Sequence, residues 1–426
     1  MAFKGTPTVG VTDYEAEKEA LKRVDEAMAA LIAEQDKGRG ADDTRLEELE
    51  TAFKEAQAAA KELVVSNEFS KVLSANGMVG MNAQTGLDFT RYYYSLPSNR
   101  LELWARLEGD RMTNPVLREF YSERDVVYEE RRSTESSPTG RLVLDWIRAG
   151  FLAHPYGTTG GVIGNSSDLK KITREDAQEF FDTYYVGSNM AVAVVGDDKF
   201  NEVKNLADKY FSGVQTGDDP PPLRTVEPWH DYEIRITREE DAQPFVLIGY
   251  HVPGGGDPDW PAVQLLGNIL GSGRSSRIYK RLVKEDKIAA QAGATAEFLA
   301  NKYPTLLVVQ ALVAKDATTD QVEAAIYEEL ARLVDEGPTQ EELDKVKTRA
   351  KSSFIRTLRS NSGLATQLAE HQTMWGDWRK LFSYLDNLAA VSVEDIQRVA
   401  TEALRPGNRV VGVLKKPAEA AAKDSE

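Results

Sequence analysis

The chain has 426 residues, 41% of them hydrophobic and 28% charged, and its formal net charge is −16. That length exceeds one ordinary core and predicts two or more domains. The acidic balance argues against nucleic acid and anionic membranes as partners, and the lack of cysteine removes disulfides, thiolate metal sites and cysteine nucleophiles.

From the N-terminus onward, Met-Ala-Phe-Lys-Gly-Thr6 lacks the shape of a signal peptide. Residues 14–63 read as a helical hairpin. Ala20, Val24, Ala27 and Leu31 form one apolar stripe; Leu46, Leu49, Phe53, Ala56, Ala60 and Leu63 form a second. Lys37-Gly-Arg-Gly40 supplies the turn. The stripes can satisfy each other as a self-contained decoration, or the hairpin can serve as a docking arm. Residues 78–84 and 89–96 predict two strands joined around Thr85-Gly86. Leu101, Trp104, Leu107 and Met112 mark a helix. Glu123 and Glu130 follow, seven apart, a spacing that returns almost to the same helix face. Their Cα atoms would be about 10 Å apart along the axis, too far to share one ion comfortably. The plain alternative is a solvated, charged helix face.

Residues 214–224 contain Gly217, Asp218, Asp219 and Pro220 to Pro222, a linker composition. Each side of it ends alike. Thr173 opens a helix with an acid three residues on, and the run from Asn189 to Val195 follows as a buried strand. Ser392 opens another such helix, and the run from Asn408 to Leu414 follows as its strand. Cap-to-asparagine spacing is identical in the two copies, which are offset by 219 residues (392 − 173). A duplicated domain is the economical explanation. Within the second copy, strands are predicted at 245–252 and 305–313, with helices near 261–270, 319–333 and 340–358. The expected fold is α+β: two duplicated sheet-plus-helices sandwich domains, at 1–213 and 232–416, joined by a 214–231 linker. Residues 417–426 are expected to form a disordered tail. On the repeat argument, the first copy is short by roughly 35 residues ahead of Met1. No apolar run is long enough for a transmembrane segment.

Four segments of the first copy resemble the insulinase, pitrilysin and mitochondrial-processing-peptidase family of zinc peptidases, whose active helix reads H-x-x-E-H. Met1-Ala-Phe-Lys-Gly-Thr6 resembles the stretch that directly follows that motif. Met81-Asn-Ala-Gln-Thr85, with Asp88, Thr90 and Tyr92, resembles the family's substrate-binding edge strand and its return strand. Glu123-Arg-Asp-Val-Val-Tyr-Glu-Glu130 resembles the segment that bears the third zinc ligand. His154-Pro-Tyr-Gly157 is a further marker, and Gly271-Ser-Gly-Arg-Ser-Ser-Arg-Ile-Tyr-Lys280 matches in the second copy.

The resemblance implies a zinc metallopeptidase that cleaves peptides or unfolded polypeptides. It makes Glu130 the Zn2+ ligand and Glu123 its supporting carboxylate. It makes Asn82, Ala83 and Thr85 the strand residues that bind peptide by β-addition. A catalytic zinc needs three protein ligands. The four histidines, His154, His230, His251 and His371, form no H-x-x-E-H. The missing motif is expected immediately before Met1, and this chain alone is expected to be inactive. The histidines present read as structural, with His154 shaping a turn before Pro155. Active members place an arginine and a tyrosine seven apart in the non-zinc half. Here those places hold Val283 and Ala290, so a second homologous subunit is expected to supply the pair. A non-catalytic structural subunit of the same fold is the alternative. The resemblance implies the periplasm or cell envelope, with the cytoplasm left open.

Overall fold

The protein was obtained as a computed structural model in which residues 5–229 and 231–417 are described. His230 and all but the first residue of the expected disordered tail lie outside them. Among the described residues no helix is long and apolar enough to cross a membrane. The chain forms two compact units. One holds the residues through Gln84 with Arg91–Glu130 and Ser166–Pro222; the other holds Thr85–Thr90, Arg131–Asn165 and the residues from Leu223 onward.

The first unit is mostly helical. Helices Tyr14–Gln35 and Asp43–Lys61 stand where the apolar stripes predict them, capped by the side chains of Asp13 and Asp42. Their buried stripes meet each other and also enclose Val116, Leu117, Phe120 and Tyr121. The hairpin therefore carries the entry to the helix Phe120–Ser136. Beneath it, buried Glu17 pairs with Arg118, whose guanidinium also donates to the carbonyls of Thr6 and Val9 at 2.8 and 2.7 Å. A two-stranded sheet, β1 (Val79–Thr85) and β2 (Thr90–Ser95), lies over Phe69, Leu73 and Leu107. The helix Arg174–Tyr184 opens with the expected capping box on Thr173.

One expectation fails in this unit. The apolar run after Asn189 is not a strand: residues 190–196 have no regular structure and none of them is buried. A strand is held by hydrogen bonds to a neighbour, and no strand pairs with this run among the described residues.

The second unit is built on a five-stranded sheet in the order β3-β7-β4-β6-β5. Its strands are β3 (Ile234–Glu239), β4 (Phe245–Val252), β5 (Ala289–Thr295), β6 (Thr305–Val313) and β7 (Arg409–Lys415). Only the β3–β7 pair is parallel; the rest are antiparallel. The central strands are apolar at almost every position because both faces are covered. Val246, Ile248 and Tyr250 of β4 join the core built with helices Trp260–Gly271, Thr319–Glu336 and Val393–Ala403. Leu247 points the other way, into a core with Trp146, Phe151 and Tyr156. Trp146, on the helix Pro138–Gly150, donates its indole N–H to the Val410 carbonyl at 2.9 Å. Its ring lies on Gly249 and Gly412, where a Cβ would come within 2.4 and 3.0 Å of it. The helices predicted near 319–333, 340–358 and after Ser392 are present, each opened by a capping box. With helices and strands in separate layers, the fold class is α+β, as expected from the sequence.

Candidate functional site

Glu123 and Glu130 both lie on the helix Phe120–Ser136. The helix is anchored on one side. Phe120 and Tyr121 are buried under the hairpin, and Arg124 donates to the carbonyls of Lys170 and Ile172 at 3.4 and 3.1 Å. Glu123 is half-buried and Glu130 exposed. Seven residues at about 1.5 Å each put their Cα atoms about 10 Å apart, so the two carboxylates have separate surroundings. Among the described residues, no three or more His, Cys, Asp and Glu side chains stand close enough to hold a metal ion. The residues present therefore do not by themselves fit a zinc ion.

The peptide-binding candidates lie on β1. Asn82 is exposed and Ala83 half-buried. The Asn82 Oδ1 accepts the Ala83 N–H at 2.8 Å, so a peptide that pairs through that amide must first displace the side chain. Thr85 ends the strand, its hydroxyl accepting from Thr90 at 3.4 Å. The sheet has two strands only, so among the described residues β1 has one edge without a paired strand, the geometry that accepts an added strand.

The support under this hairpin was not legible in the sequence. Tyr94 donates to Glu108 at 2.8 Å, and Glu108 accepts from the Nε of buried Arg111 at 3.0 Å. Arg111 stacks on the Tyr92 ring at 4.5 Å, and the Tyr92 and Tyr185 hydroxyls meet at 2.7 Å. Burial holds the Tyr94 phenol well above its ordinary pKa, and the Glu108 carboxylate adds to the effect. Burial would lower Arg111, but the Glu108 charge outweighs it and keeps the guanidinium charged. Tyr92, Tyr94, Glu108 and Arg111, with Phe69, Met81 and Asn82, line a cavity of about 10 Å³, roughly room for one water. The only local signal was the three-residue spacing of Glu108 and Arg111 on one helix.

In the second unit, the His-Pro-Tyr-Gly marker is a structural knot. His154 caps the short helix Pro155–Thr158, its Nδ1 accepting the Tyr156 N–H at 3.2 Å. It shapes the turn, as its sequence context suggested. Burial pulls its pKa down, against the charges of Glu227 and Asp88. Glu227, from the linker, accepts the backbone N–H groups of Leu152, Ala153 and His154 at 2.7–2.9 Å. Asp88 accepts from the Tyr156 hydroxyl at 2.7 Å and from the backbone amides of Asn301 and Lys302 at 3.2 and 3.0 Å. Of the other histidines, His251 is buried on β4, and His371 sits on the helix Asn361–Trp375 with its Nδ1 2.8 Å from the Gln367 carbonyl. Val283 packs against the unit's core from the π-helix Lys280–Glu285, and Ala290 lies on β5.

Residues 171–350 match the family description "Peptidase M16 inactive domain". The zinc protease PqqE of Helicobacter pylori is 30% identical over 358 residues, covering 82% of this chain and 79% of that protein. The crystal structure of a protease from Helicobacter pylori superposes with a TM-score of 0.74 at 29% identity, covering 82% and 84% of the two chains. A probable mitochondrial-processing peptidase subunit beta of Arabidopsis thaliana is 25% identical over 338 residues, 76% of this chain and 62% of that one. The chain, with its α+β fold and its relatives named zinc protease and processing peptidase, belongs to the M16 family of peptidases.

Proposed function

We propose that this chain supplies the acidic half of a zinc-dependent endopeptidase site together with its peptide-binding strand. Glu130 is the metal-binding carboxylate and Glu123 the carboxylate that supports it. The histidine pair and the general base come from residues that this sequence does not contain. The observation that carries the reading is the pair of glutamates, about two turns apart on one face of the anchored helix Phe120–Ser136. The edge of β1 that has no paired strand among the described residues, with Asn82, Ala83 and Thr85, supports a substrate that binds as an extended peptide. Backbone pairing of that kind suits broad sequence specificity. The absence of an arginine and a tyrosine at Val283 and Ala290 favours a homologous second subunit that supplies them. The processing-peptidase relative is itself named as a subunit.

The test uses the gene product with any residues encoded in frame ahead of Met1, assayed for zinc and for cleavage of a fluorogenic peptide. Glu130→Gln should lose bound zinc and activity together. Glu123→Gln should cost about 10–100-fold in metal affinity or activity, as loss of an outer partner does. If no H-x-x-E-H is encoded there, or if Glu130→Gln leaves zinc and cleavage intact, the reading falls. A second reading, a non-catalytic subunit of the same fold, is favoured by the match to an inactive-domain description. It requires both variants to be silent.

A further inference from the structure

The segment 271–280, with its glycines, serines and arginines, has no task in the site described above. In the second unit it lines one side of a cavity of about 360 Å³, a volume within the range of small-molecule pockets. The end of the helix Thr319–Glu336 and the first turns of the helix Gln340–Leu358 line the rest. Five basic side chains face it, Arg277, Lys280, Arg332, Lys345 and Arg349, against three acidic ones, Glu336, Glu341 and Glu342. The whole chain carries a formal net charge of −16, so this local surplus of cations runs against its surroundings.

Arg277 is the buried member, 8% exposed. Its Nε and Nη2 donate to Glu342 at 2.9 and 2.7 Å, and Nη2 also donates to the Gly337 carbonyl at 3.1 Å. Its Nη1 lies 3.8 Å from Glu329, which accepts from Arg332 at 2.8 Å. Among the described residues Nη1 has no hydrogen-bond acceptor, although it is buried. A buried donor without an acceptor costs free energy, and an oxygen supplied from the cavity would recover it. At the rim, Lys280, Lys345 and Arg349 are exposed. Among the described residues neither lysine forms an ion pair. Arg349 is held over the cavity by its bonds to the Ser272 carbonyl and, at 3.2 Å, to the Ser272 hydroxyl. Gly273, at φ +78°, makes room for it: a Cβ there would lie 2.9 Å from the Arg349 Nη1. The 19-residue helix Gln340–Leu358 begins at the cavity wall, so the positive end of its dipole adds to the potential.

We propose that this cavity binds the phosphate group of a small phosphorylated molecule. The phosphate oxygens accept from Arg277 Nη1 on the inner wall and from Lys280, Lys345 and Arg349 at the rim. A tetrahedral phosphate presents oxygens in several directions, which suits cationic donors that come from two separate stretches of chain. A carboxylate presents its two oxygens in one plane and leaves part of that set unused. A phosphate group fills only part of the cavity, so an organic remainder fits beside it. The same surplus of cations disfavours a metal ion as the occupant.

The test is isothermal titration calorimetry on the full chain at constant ionic strength, with inorganic phosphate, phenyl phosphate and acetate as probes. Both phosphates should bind saturably and one to one, and acetate should bind about tenfold more weakly or worse. Lys345→Glu and Arg349→Gln change exposed side chains and leave the fold intact, which circular dichroism checks. Each should weaken phosphate binding about tenfold, the loss expected for one charge-assisted hydrogen bond. Lys54→Glu, the same charge change on an exposed helix position of the first unit, should leave binding unchanged. The proposal is overturned if the phosphate heats never saturate, if acetate binds as tightly as phosphate, or if Lys345→Glu and Arg349→Gln bind phosphate like the wild type. It is equally overturned if Lys54→Glu weakens binding as much as Lys345→Glu, which would show a general charge effect. Binding of inorganic phosphate without phenyl phosphate would rule out the organic occupant.

Discussion

At the residue scale, the buried polar groups do most to define this molecule. Glu227 takes up three consecutive amides and so fastens the linker to the loop before Pro155. Glu227→Ala should cost about 3 kcal/mol, because buried donors are left unpaired. Glu227→Gln should cost less, since the amide oxygen still accepts. Urea titration of the two variants measures both. His154 gives a pH dependence whose sign is fixed. Burial depresses its folded pKa below the unfolded value. Its contribution to stability is therefore complete above about pH 6.5 and is lost as the pH falls from there toward the folded pKa. Urea midpoints at pH 7.5 and 5.5 should diverge in the wild type, and His154→Gln should narrow the gap. A gap that stays the same in the variant would show that other groups set the acid sensitivity.

At the element scale, what the sequence disclosed depended on whether each signal was local. The capped helices after Thr173, Thr318, Thr339 and Ser392 carry their own start signals, and the first and last of these caps are what suggest a repeat. The strands β4 and β6 were legible as continuous apolar runs. β5, with its alanines and glycine, was not, because pairing with β6 makes it a strand rather than its own propensity. The run after Asn189 shows the converse: strong strand composition without a neighbour to pair with. In the site, the seven-residue spacing of Glu123 and Glu130 was readable. The Tyr94–Glu108–Arg111 support was not, since only folding brings Tyr94 to Glu108. The seat of Trp146 on β4 and β7 is likewise set by distant residues. Gly249→Ala would place a methyl group against the buried indole and should destabilise by about 1–3 kcal/mol, as overpacking does. Trp146→Ala should cost about 3–5 kcal/mol. Calorimetry or urea unfolding of the two variants checks both figures.

At the scale of the whole molecule, the two compact units carry different sheets. The second half has a five-stranded sheet covered on both faces. The first half has a supported hairpin, an anchored helix with two glutamates, and an apolar face without a strand neighbour among the described residues. On the function proposed above, Glu130 is one member of a zinc ligand set that the described residues do not complete. The most direct measurement is zinc stoichiometry and peptide cleavage by the purified 426-residue chain alone, after gel filtration in metal-free buffer. The account predicts far less than one equivalent of zinc and no cleavage. One equivalent of tightly held zinc with peptide hydrolysis would contradict it.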